Sequence, residues 1–191
     1  MSEHDFHVHG PHDHALEHAA HGGLDAFSGG LAVVTAILAT VGSIFSYMGG
    51  ATQSNAAMYK NDAAIRKTEA ANQWAYYQSK SSKQNLSELA IEVVPEAKKP
   101  FYLDEARRYK AEKAEIQAKA ERLEAESIVF DERSNEQIHE HHRWAQATTV
   151  LQISIAMAAI ALLTKRKWLL YGVYGLGGVG ALLGAVAWWH F

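Results

Sequence analysis

Cysteine is absent from the chain, which excludes disulfides, thiolate metal centres and thiol catalysis. Proline occurs only at positions 11, 95 and 100, so none between Gln53 and Val94 interrupts a helix. A basic excess is missing too. The formal net charge is -3, and without a positive face to neutralise phosphates nucleic acid is not an expected partner. Residues 1–23 contain no Lys or Arg and no early apolar run, both of which a secretory signal needs. No phosphate-binding glycine loop precedes a helix in the polar part of the chain. Charge itself is missing from three long stretches, and that absence organises the rest.

Those stretches are Leu31–Met48, Ala145–Leu163 and Trp168–Trp189. At about 1.5 Å per residue, each is long enough to cross a bilayer core. The expected organisation is a tail at 1–30, a first span at 31–49 and a polar block at 50–144. A second span at 145–163, a basic turn at 164–167 and a third span at 168–189 follow. Aromatic residues at both ends of the third span suit membrane interfaces. Gly177, Gly180 and Gly184, with Gly42 and Ser46 of the first span, make small-residue faces that let helices approach closely in lipid. Packing among the three spans is their expected use. Lys165, Arg166 and Lys167 in so tight a turn are costly to translocate, which puts that turn and the tail inside and the polar block outside.

The tail, residues 1–23, holds seven histidines and four acids and is expected to be largely disordered. As a helix, Asp13–His21 would place His14, His18 and His21 on one face, while His7 with His9 and His12 with His14 form further imidazole pairs. Imidazole suits Zn, Ni or Cu, so metal handling by these six histidines is the second candidate function. The plainer reading is a flexible, mildly pH-sensitive acidic tail. No other cofactor is expected.

The polar block has a helical pattern on either side of Pro95–Pro100, at 95–100, and no strand pattern. Alternating steps of three and four trace Met58, Ile65, Leu86, Leu89 and Val93 through a polar middle at Asn72, Ser79 and Ser82. In the second arm the same steps trace Ile116, Ala120, Leu123, Ser127, Phe130 and Ser134. The period is that of a coiled coil. Folding the block about residues 97 and 98 gives an antiparallel helical hairpin. It brings Lys80 and Lys83 near Glu115 and Glu112, Arg66 and Lys67 near Glu126 and Asp131, and Trp74 near Ala120 and Leu123. Two helices with such polar seams bury little apolar surface, so the hairpins are expected to associate with copies of themselves or with another membrane protein complex.

Trp74-Ala-Tyr-Tyr-Gln-Ser-Lys-Ser81, followed by Lys83, and the basic turn Lys165-Arg-Lys-Trp168 resemble the signature of DUF4337, a family of uncharacterised bacterial membrane proteins. The resemblance covers nearly the whole chain. It implies a bacterial membrane protein and transfers no activity; with the orientation expected from the basic turn, the chain is expected in the bacterial inner (plasma) membrane with the polar block periplasmic. Trp74, Tyr77, Gln78, Lys80, Lys83, Glu112 and Glu115 are the expected hairpin packing and interaction residues.

Catalytic readings lack parts. Glu136-Gln-Ile-His139 has the spacing of carboxylate-bridged di-iron bundles, but Asn55–Met58 opposite contains no carboxylate. Ser79, Ser81 and Ser82 have no histidine base in the folded register. The chain is therefore expected to be all-α, with three transmembrane helices and a hairpin between the first two. It is expected to act as a non-enzymatic, self-associating scaffold or accessory subunit. A channel or transporter is the third candidate, although no span carries a charged residue or histidine to mark an ion path.

Overall fold

The computed structural model describes residues 26–189. Three helices account for nearly all of them: α1 (Ala26–Val93), α2 (Lys99–Thr164) and α3 (Lys167–Trp189), with a 3-10 turn at Glu96–Lys98. No strand occurs among the described residues. Each of the three helices contains a stretch long and apolar enough to cross a membrane.

Local chemistry explains the breaks. A residue before proline is disfavoured in the helical region, and α1 ends at Val93, two residues before Pro95. Pro100 lies in the first turn of α2, where its missing N–H removes no helical hydrogen bond. Between them Lys98 N–H donates to the Pro95 carbonyl at 2.9 Å, and Lys99 Nζ lies 2.6 Å from Glu96 Oε1. At the second break Lys165 takes a left-handed φ of 51° as its N–H donates to the Ala161 carbonyl. The backbone does not break where composition changes. α1 passes from apolar to polar sequence through Gly49 and Gly50, and α2 passes from polar to apolar through Trp144.

The structure divides into two compact units. The first comprises residues 26–52 and 139–189. Leu31, Ala158, Ala161, Leu169 and Val173 form its buried cluster, with Phe27, Val34 and Leu38 packed against it. Ser154 Oγ donates to the Val173 carbonyl at 2.8 Å, tying α2 to α3. A Cβ on Gly177 would lie 2.9 Å from Leu38 Cδ2, one on Gly180 2.7 Å from Leu151 Cδ2, and one on Gly184 would clash with Cζ and Cε2 of the Phe45 ring. Gly42 is buried beside Leu151, whereas Ser46 is exposed. Phe45 stacks at a tilt on Trp144, centroids 5.3 Å apart, and Trp144 meets Trp188 edge-on at 6.4 Å. Trp144 is 1% exposed and its N–H has no hydrogen-bond partner among the described residues, so this site uses the indole's volume.

The second unit is Gln53–Ile138. On α2 the buried residues Ile116, Ala120, Leu123, Ser127 and Ser134 are those traced in the sequence. On α1 they differ from expectation. Ala56, Ala63 and Ala70, seven residues apart, are buried, while Met58, Ile65, Leu86, Leu89 and Val93 are exposed. The reason lies in two hydroxyls: Ser127 Oγ donates to the Ala63 carbonyl at 3.0 Å and Ser134 Oγ to the Ala56 carbonyl at 2.9 Å. A side-chain hydroxyl reaches a neighbouring helix's backbone only where the intervening side chain is small, so alanine faces α2 and the bulkier residues turn outward.

Candidate functional site

Contacts between α1 and α2 within the second unit form a ladder. Asn55 meets Gln137, Lys60 meets Asp131, Arg66 Nε lies 3.4 Å from Glu126, and Trp74 N–H donates to Glu124 at 2.9 Å. Lys80 Nζ lies 2.5 Å from Glu112 Oε2, and Lys113 donates to the Gln84 amide oxygen at 3.2 Å. From Asn55–Gln137 to Lys80–Glu112, numbers fall on α2 as they rise on α1. Arg66 keeps its expected partner Glu126, while other pairings differ from expectation. Lys80 takes Glu112 rather than Glu115, and Asp131 takes Lys60 rather than Lys67. Trp74 caps Glu124 with its indole N–H and meets the Tyr77 ring edge-on at 5.6 Å.

Around Lys80 cations and tyrosine rings alternate. Its ammonium sits 5.2 Å from the Tyr76 centroid and 5.4 Å from that of Tyr109. Lys113 lies over Tyr77 at 4.9 Å and Arg108 over Tyr109 at 5.0 Å. Arg108 also approaches Glu112 Oε1 at 3.5 Å. The ion pair with Lys80 holds the Glu112 carboxyl below the usual carboxylate range, with Arg108 and Lys83 adding to the field. Glu112, then Tyr76, holds the Lys80 ammonium above its ordinary value. Both groups are thus pushed away from neutrality, the opposite of what a general acid or base needs. The arrangement is an interhelical clasp.

Its pH dependence follows from those directions. Glu112 contributes stability that is present above the unfolded carboxylate value, about 4.3, and lost as pH falls below it. Lys80 contributes stability that is present below about 10.4 and lost as pH rises beyond it. Thermal unfolding of the detergent-solubilised protein should therefore show two shallow limbs, with partial exposure screening both. Glu112→Gln is expected to flatten both, and unchanged limbs would show that the pair contributes nothing.

Other expected residues fall into different places. Gln78 and Lys83 are exposed and their side chains make no hydrogen bond or ion pair among the described residues; Glu115 is likewise exposed. His7, His9, His12, His14, His18 and His21 lie outside the described residues. Among the described residues no three His, Asp or Glu side chains are grouped to hold a metal ion. His141 Nδ1 lies 2.8 Å from the Gly49 carbonyl, an approach for which Gly49 leaves room. An open groove of about 430 Å³ is lined by Lys60, Lys67, Ser127 and Asp131 among others. Its one hydroxyl is already committed to Ala63, so it offers no activated nucleophile.

The family model for a domain of unknown function, DUF4337, matches residues 27–190. The chain belongs to the DUF4337 family. No curated protein and no solved structure matches it. The signature block that suggested DUF4337 splits between two faces of α1. Trp74, Tyr77 and Lys80 meet α2, while Tyr76, Gln78 and Lys83 are exposed. The sequence missed Ala56, Ala63 and Ala70; their seven-residue recurrence was the available signal, hidden because alanine carries so little hydrophobic contrast in a helix.

Proposed function

We propose that this DUF4337 member is a non-enzymatic, multi-pass protein of the bacterial inner membrane, serving as a self-associating scaffold or accessory subunit of a membrane assembly. Its polar segment acts as an antiparallel, coiled-coil-like helical hairpin on the periplasmic side. The observation that carries the reading is apolar surface uncovered in a charged segment. Leu86, Leu89, Val93 and Phe101 are 65%, 61%, 75% and 63% exposed. Large apolar side chains left together in water mark interaction sites. The ladder from Asn55–Gln137 to Lys80–Glu112 supports the hairpin, and Lys165, Arg166 and Lys167 support an inward-facing turn.

The glycine face of α3 is not the surface for association, because Leu38, Leu151 and Phe45 of the same chain fill it. Self-association belongs to the hairpin. The mass of the full-length protein in mild detergent, corrected for bound detergent, tests this. Two or more copies, or one copy with a stoichiometric partner, is the expected result. A clean monomer with nothing bound would sink the proposal.

A further inference from the structure

The apolar residues that α1 leaves uncovered follow a rule. Met58, Ile65, Leu86 and Val93 fall on a seven-residue repeat that also passes through Asn72 and Ser79. None of these positions is charged, nor is any position of α1 three residues on from them (Asn61, Thr68, Ala75, Ser82 and Leu89), and all are exposed. Yet nine charged side chains lie between Met58 and Val93. A seven-residue repeat that carries large apolar residues at both ends and keeps charge off the stripe between them has the spacing of a helix–helix seam. It is the second on this helix, since Ala56, Ala63 and Ala70 already face α2.

We infer that this outward seam is where a second copy of the chain docks, α1 against α1 and parallel. The inference rests on the self-association proposed above and names its surface. Copies that share a bilayer share an orientation, so their α1 helices run the same way. A two-fold axis then sets each seam residue against its own copy: Ile65 on Ile65, Leu86 on Leu86, and no charge buried. Asn72 meets Asn72 and Ser79 meets Ser79, polar pairs of the kind that favour one register at a cost in stability. On the flanks Ala64 falls opposite Glu69, and Gln78 opposite Lys83, so no like charges meet and the exposed half of the signature block gains a partner. From Met58 to Val93 the strip runs roughly 53 Å, or about five heptads, with its large apolar residues towards the two ends.

The absence of cysteine makes the test direct. Asn72→Cys, Ser79→Cys and Leu86→Cys, each alone in the full-length protein, would be oxidised mildly in detergent and run on a non-reducing gel. All three are expected to give covalent dimers, because a parallel seam brings each position within disulfide reach of its copy. Lys119→Cys, on an exposed face of α2, should give none. Cross-linking at only one of the three would indicate an antiparallel copy and overturn the inference. A multimeric mass without cross-links at any of them would also overturn it while leaving the proposed function standing. A monomeric mass would end both.

Discussion

Replacing Gly184 with leucine is expected to unseat α3. A Cβ at this position clashes with the edge of the Phe45 ring, and that ring is held against Trp144, itself buried against Trp188. A flexible side-chain end could swing away, but an aromatic ring packed on a second aromatic cannot without moving its neighbours. Overpacking of this kind costs about 1–3 kcal/mol, and leucine should lie at the upper end. Gly178→Leu is the control, because nothing lies within 4 Å of a Cβ there. Both substitutions make α3 more apolar and remove a glycine, so only packing separates them. Tryptophan fluorescence during detergent unfolding would report the difference. Equal unfolding of the two variants would show that Gly184 does not face Phe45.

Ala63→Leu is expected to open the second unit. Ala63 is 5% exposed and its carbonyl accepts the Ser127 hydroxyl. Leucine would separate the helices, breaking that bond and straining the matching one between Ser134 and Ala56. The loss combines overpacking with an unpaired buried hydroxyl, each about 1–3 kcal/mol. Ile65→Ala is the counterpart, removing a larger side chain that is 47% exposed, and should leave the monomer's own stability within about 0.5 kcal/mol. Helicity and thermal unfolding by circular dichroism would check both. If Ile65→Ala proved the more damaging, the buried face of α1 would be the one the sequence suggested.

The contrast between these two residues shows why one arm was legible and the other was not. On α2 the buried face carries Ile116 and Leu123, whose size and apolarity stand out from charged neighbours. On α1 the large apolar residues are real and correctly spaced, but they trace a seam that α2 does not cover. A hydrophobic period reveals that a face will be buried and not by what. The ion pairs follow the same logic. Arg66 meets Glu126 as expected, whereas Lys80 reaches Glu112 rather than Glu115, because several carboxylates on α2 lie within reach of each cation and sequence spacing does not choose among them.

Composition and periodicity by themselves determined the all-helical character, the three stretches apolar enough to cross a membrane, the break around Pro95, and the buried face of α2. These are properties of one chain segment at a time, carried by residues with strong local preferences. Tertiary structure alone decided which face of α1 is buried, which lysine clasps which carboxylate, and that the glycines of α3 receive Leu38, Leu151 and Phe45. Each depends on alanine, serine or glycine, whose value is the space they leave. That space acquires meaning only when a second helix enters it.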